Sequence, residues 1–426
     1  MIGLFDFQDI RLAKTEADLL NFDDRFLFRF LDEEIRLIKS SKARVQSNTD
    51  CIVLCVVKNG ETLLDSFFSH YRSIGINHMV FLDNGSDDST SEIIQQQNDT
   101  TLLSTELPYK IFFQVFKRYL IDRFSFGQWV LVVDIDEFLC YPLMERVTFD
   151  HILQYLNNHN YNAVVTQMLD LFPNGSIQEI DGDDFKKEHS YYNLSNLQKA
   201  DFFPGNNYYS NNQIKGFAGG VRLEKFDLEH QIALTKHALL KYDRSIRIPN
   251  DHEVTYARIA DISFALLHYK FVGDFKGYAR KSVKEKNHYN NSMEYAKYDK
   301  KLRSEKDFTL FDKNAIKLHS CKDLVRDSFV ILTTQFLDYL TIVDHMLKDD
   351  ISGLKSLLNS DSEHYSEADH SEQIQMKSRV RMLEASIDSI RLRHQQEIYL
   401  IKHSISWKIG RFFVVPAYRL LKLFKK

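Results

Sequence analysis

Three short, unbroken apolar runs punctuate the first third of the chain: Cys51 to Val57, Ile76 to Leu82, and Trp129 to Val133. Runs of this length, rich in branched side chains, predict strands buried on both faces, as in the covered sheets of α/β proteins. Between the first two, Leu63, Leu64, Phe67, Phe68 and Tyr71 recur at helical spacing. Ile93 and Ile94 mark a second helix, Leu102 and Leu103 a short strand, and residues 110 to 124 a third helix leading into the strand at 129 to 134. Strands alternating with helices predict βαβ units, hence an α/β fold with a mainly parallel sheet flanked by helices.

The pattern is looser on either side. Residues 1–49 read as an N-terminal helical cover, with Phe22, Phe26, Phe28, Phe30, Leu31, Ile35, Leu37 and Ile38 as its apolar positions. Beyond 145 come a helix near 149 to 157, a strand at 162 to 168, a long polar stretch, the glycine loop Gly216 to Arg222 and the run Ala265 to Phe271. Residues 272–348 read as a helical extension, and the acidic, Ser-rich stretch 349–373 as a linker. In 374–426, Met376, Val380, Leu383, Ile387 and Ile390 step by four and three, the pattern of a short coiled coil. The tail from Lys402 to Lys426 interleaves seven basic residues with aromatic and aliphatic ones and contains no acid. It is too interrupted to span a bilayer and suits an amphipathic anchor on anionic lipid.

Composition adds limits. A chain of 426 residues with 44% apolar and 27% charged residues can bury a full core and suggests two to three domains. A net charge of -4 supplies no global pull toward nucleic acid. Cys51 and Cys55 fall on one predicted strand, roughly 13 Å apart, too far for a disulfide. They are expected to be small buried apolar residues in a reducing compartment. The N-terminus carries Asp6, Asp9, Arg11 and Lys14 and reads as neither signal peptide nor spanning helix. The expected location is cytoplasmic, at the periphery of the inner face of the cell membrane.

The chemistry concentrates where the apolar strand runs into Asp134-Ile135-Asp136-Glu137. Carboxylates are costly inside a core, so Asp134 and Asp136 are expected on the strand's C-terminal lip, where open α/β sheets bind ligands. Side chains two apart on an extended chain point the same way and together suit one hard divalent cation serving a phosphate ligand. The competing reading is a solvated acidic turn. Two further strand ends, Lys58-Asn59 and Asp83-Asn84, should share that crevice. Asp83 is placed to accept hydrogen bonds from a base or ribose, and Gly85-Ser86 to let the backbone approach a ligand.

In this order, Val56-Val57-Lys58-Asn59, Tyr71 to Ile76, Phe81 to Thr90 and Trp129 to Pro142 resemble the nucleotide-sugar half of family 2 glycosyltransferases with the GT-A fold, in the bacterial branch with a D-x-D-E-[FL] motif. Gly219-Gly220-Val221-Arg222 and Leu266 to Phe271 extend the likeness over roughly 51 to 300. The resemblance implies a GT-A domain at 50–271, with a nucleotide-sugar half at 50–145 and an acceptor half at 146–271. It implies transfer of a sugar, with inversion, from a nucleoside-diphosphate sugar to a hydroxyl of a glycan or glycolipid, as in cell-surface polysaccharide synthesis, with Mn2+ or Mg2+. Asp134, Asp136 and His268 would hold the metal, with His252 in reserve. Lys58, Asn59, Asp83, Asn84, Asp134, Gly219, Gly220 and Arg222 would bind the nucleotide sugar, Arg222 pairing with phosphate. The general base is open among Glu137, Asp243, Asp251 and Glu253. The chain departs from the simplest family pattern in lacking a clear Glu-Asp pair after the glycine loop. A non-catalytic, transferase-like binding or assembly protein and a metal-dependent nucleotidyltransferase are the alternatives, and the coiled-coil seam raises self-association.

Overall fold

The computed structural model describes residues 7–42, 47, 49–125, 127–177, 185–201, 207–211, 213–229, 231–285, 289–343 and 347–360. Its strands are β1 (Arg36–Lys39), β2 (Cys51–Val57), β3 (Met79–Asp83), β4 (Thr100–Ser104), β5 (Trp129–Val132), β6 (Glu137–Cys140), β7 (Ala163–Asp170), β8 (Tyr191–Tyr192), β9 (Leu197–Asp201), β10 (Tyr208–Tyr209), β11 (Lys215–Gly219), β12 (Thr235–Lys241), β13 (Arg258–His268) and β14 (Ile316–Lys317). Ten of them form one large mixed sheet in the order β1-β4-β3-β2-β5-β12-β7-β13-β10, with β6 branching off β13. The run β4-β3-β2-β5 is parallel throughout. β12 enters antiparallel between β5 and β7, and β13 is parallel to β7.

Both faces of the sheet are covered at β2, β3 and β5, which is why those strands carry no polar alternation. Val53, Cys55 and Val57 of β2 pack on one side with Leu64, Phe67, Phe68 and Tyr71 of the helix Glu61–Ser73. Ile52, Leu54 and Val56 pack on the other with Phe112, Val115 and Phe116 of the helix Tyr109–Phe124. The α/β class and the helix–strand alternation expected from the apolar runs are therefore present. All four cysteines are free and buried.

The N-terminal cover is helical through Asp24–Glu34, which stacks Phe30 on Phe112. It then adds a strand the apolar pattern did not suggest, β1, antiparallel to β4 at the sheet edge. The expected linker is corrected at its start: Lys348–Ser360 is a helix whose Ile351 and Leu354 join the main core. The coiled-coil stretch and the basic tail lie outside the described residues. Among the described residues no helix is long and apolar enough to cross a membrane.

Candidate functional site

β5 stops at Val132, and the chain turns through Asp134-Ile135-Asp136 before β6 begins at Glu137. The turn closes with the Glu137 amide donating to the Asp134 carbonyl at 3.0 Å. It cannot run straight on, because β5 belongs beside β2 while β6 pairs with the end of β13. The two acids are thereby held at the C-terminal ends of the parallel strands. There they face a cleft of about 490 Å³, bounded by the ends of β2 and β3, residues 106 to 110, the end of β13 and the helix Phe275–Glu285.

Two networks of charge meet at this turn. Asp134 is clamped by two lysines: Lys117 at 2.9 Å on one oxygen and Lys236 at 3.1 Å on the other. Lys236 also pairs with Glu137 at 2.5 Å, and Lys117 lies 3.5 Å from Asp251. Burial pushes Asp134 up, but the two ammonium groups outweigh it and hold the carboxyl well below its usual range. Burial opposes the charge of Lys117 too, and Asp134 and Asp251 more than restore it.

The second network starts at Asp136, whose Oδ2 lies 3.2 Å from His268 Nε2. His268 Nδ1 is 2.6 Å from Asp170, and Asp170 accepts from Arg222 Nε at 2.7 Å. Arg222 continues to Glu294 at 3.3 Å, which also accepts from the Tyr298 hydroxyl. Burial alone would push His268 down; carboxylates on both ring nitrogens raise it instead to about 9. Burial likewise pushes Asp136 up, yet His268 beside it holds it below the usual carboxylate range.

Among the described residues no group of three or more His, Cys, Asp or Glu side chains is arranged to hold a metal. Asp136 and His268 form a candidate two-donor pair, in which an ion would replace the proton between them. The 3.2 Å between Asp136 Oδ2 and His268 Nε2 matches neighbouring ligands on one octahedral ion, which sit about 3 Å apart when each bond is ~2.1 Å. Asp170 on Nδ1 fixes the ring so that Nε2 faces the cleft, the usual support for a ligating histidine. Such a pair fits a divalent ion that takes its remaining ligands from water and phosphate.

The structure sorts the other sequence candidates. Lys58, Asn59 and Asn84 line the cleft with Asp134, Asp136 and His268. Asn59 is tied by its side chain to Asp87 and by its amide to Ser86, so it locks the two strand-end loops together. Asn84 is buried and donates to the carbonyls of Thr105 and Leu107. Asp83 is turned inward, accepting from the amide and hydroxyl of Ser86, and is not among the lining residues.

The remaining candidates have other partners. Asp134 spends both oxygens on lysines, which leaves Asp136 with His268 as the candidate pair for a metal. Arg222 is buried at 4% exposure against Asp170, which leaves it away from any phosphate in the cleft. Gly219 and Gly220 have positive φ, and a side chain at Gly219 would meet the Asn196 carbonyl at 3.0 Å; they turn β11 into the short helix carrying Arg222. Glu137 is buried on Lys236, Asp243 accepts from Ser245, and Glu253 accepts from Asn250. His252 donates its Nδ1 proton to the Thr235 carbonyl at 2.9 Å, with Nε2 3.9 Å from Asp251. None of these four, nor Asp251, lines the cleft.

Sequence reasoning passed over Lys117, Lys236, Asp170 and Lys270. The available signal was a lysine in an otherwise apolar setting: Lys117 sits among Phe113, Phe116, Leu120 and Ile121, all buried. No known family model matches the chain, and no curated protein matches it.

Proposed function

We propose that the chain is a metal-dependent glycosyltransferase of the GT-A type, moving a sugar with inversion from a nucleoside-diphosphate sugar to an acceptor hydroxyl on a glycan or glycolipid. The observation that carries this reading is the Asp136–His268 pair, set at the C-terminal rim of parallel strands in a cleft that also offers lysines and tyrosines. A divalent ion bound there supplies Lewis-acid neutralisation of the charge that grows on a departing diphosphate. Asp136 and His268 would hold it, Asp170 would hold the histidine ring, and Lys117 with Lys236 would keep Asp134 from competing for it. Lys58, Asn59 and Asn84 border the end of the cleft next to Tyr109, whose ring suits stacking on a base. Glu137, Asp243, Asp251 and Glu253 are not among the residues lining the cleft, and the acceptor's base is unassigned. The basic, aromatic-rich sequence of the tail supports a location at the inner membrane surface.

Incubation with a panel of nucleotide sugars and Mn2+ tests the reading. The wild type should release nucleoside diphosphate only when a divalent ion is present, and Asp136→Ala should lower that release at least ~100-fold, the loss of several kcal/mol of leaving-group stabilisation. Undiminished turnover in the variant would refute the assignment.

A further inference from the structure

Among the described lysines that line the cleft, Lys270 is partly buried, whereas Lys58, Lys110 and Lys281 are exposed. Lys117, Lys236 and Arg222 each rest on carboxylates, and Lys281 reaches Asp87 at 3.0 Å. Lys270 lines the cleft two residues past His268 and is partly buried. Its hydrogen-bond and ring contacts are to Tyr295, with the hydroxyl at 3.3 Å and the ring centroid 5.1 Å away, while Glu294 and Asp136 feel its charge from beyond ion-pair distance. Tyr295 is 8% exposed, and Tyr278, 42% exposed, packs edge-on against it at 5.6 Å and also lines the cleft. An ammonium partly withdrawn from water, with its carboxylates held beyond ion-pair distance, has room for a closer anionic partner. An anion entering the cleft would supply it.

We infer that Lys270, with the hydroxyls of Tyr278 and Tyr295, forms a phosphate seat facing the Asp136–His268 pair, so that a diphosphate is gripped by a cation on one side and an ammonium on the other. This rests on the reading of the cleft as a nucleotide-sugar site and names the side chain that holds the leaving group. A lysine serves here as a compact point charge, the way it commonly meets phosphate. Tyr295 presets that charge by fixing the stem over its ring.

Inorganic pyrophosphate with Mn2+ is the probe, titrated calorimetrically into the full chain. Lys270→Met keeps the stem and removes the charge; it should weaken pyrophosphate binding about 10- to 100-fold, as for loss of a hydrogen bond to a charged group. Lys284→Met, on the exposed face of the helix Phe275–Glu285 and outside the cleft lining, should change it less than about 2-fold. Unchanged binding in Lys270→Met, or equal losses in both variants, would overturn the seat. The wild type gives a second measurement that needs no variant to fold: pyrophosphate with Mn2+ should shield Lys270, and not Lys284, from acetylation read by mass spectrometry. Equal labelling of Lys270 with and without pyrophosphate would also overturn it. If pyrophosphate binding depends on Lys270 but no nucleotide sugar is turned over, the transferase reading falls and the seat stands; turnover indifferent to Lys270 has the reverse meaning.

Discussion

Lys236 is 3% exposed and lies between Asp134 and Glu137, itself 1% exposed. Charges buried at this depth do not act as surface pairs do, because each has lost its water and depends on its partner. Replacing Lys236 with Met leaves Glu137 without a counter-charge and frees one oxygen of Asp134. Lys236→Met should therefore cost about 3–5 kcal/mol of stability in urea denaturation, the usual cost of breaking a buried pair. A cost near 1 kcal/mol would mean that the carboxylates find water or other donors instead. The same contacts divide two acids that a motif treats as equals: Asp134 organises the turn, and Asp136 keeps an oxygen for the cleft.

The helix Glu61–Ser73 is stitched to β6 at its C-terminal end. Tyr71 donates its hydroxyl proton to the Glu137 carbonyl at 2.8 Å, and His70 Nε2 meets the Leu139 carbonyl at 2.8 Å. Burial, helped by nearby Lys186, pushes His70 down to about 4, so the folded protein keeps it neutral while the unfolded chain, near 6.5, takes a proton. Its contribution is whole above pH 6.5 and is lost as pH falls toward 4. His70→Gln, which retains a donor for Leu139, should flatten the fall in melting temperature between pH 6.5 and 4; parallel curves for variant and wild type would show that His70 is not responsible. Elements buried on both faces, such as β2, β3 and β5, were legible because their apolar runs admit no other reading. β12 was not, since Lys236 and His237 break its run and its place is set by β5 and β7 on either side. The rim position of Asp134 and Asp136 could be read from the strand before them, but Asp170 and Lys270 could not, because their partners are distant in the chain and met only through the fold.

The helix Lys348–Ser360 shows how composition misleads over a longer stretch. Asp349, Asp350 and several serines suggest a linker, yet Ile351 and Leu354 are 2% and 1% exposed against the main core, and Lys322 secures Asp350 at 2.8 Å. Leu354→Ala should destabilise the whole protein by about 2–5 kcal/mol in a denaturant titration, whereas a linker residue would stay within ~0.5 kcal/mol. The insertion of β12 has a different kind of consequence. Leu239 pairs with Leu131, so more than a hundred residues must be translated after β5 before its outer edge is covered. At ribosomal speeds that delay is on the order of 10 s. During that interval the nascent chain presents an open row of backbone amides and carbonyls beside Trp129 to Val132, a template for mispairing. Strand order thus leaves that edge open to mispairing until β12 has emerged.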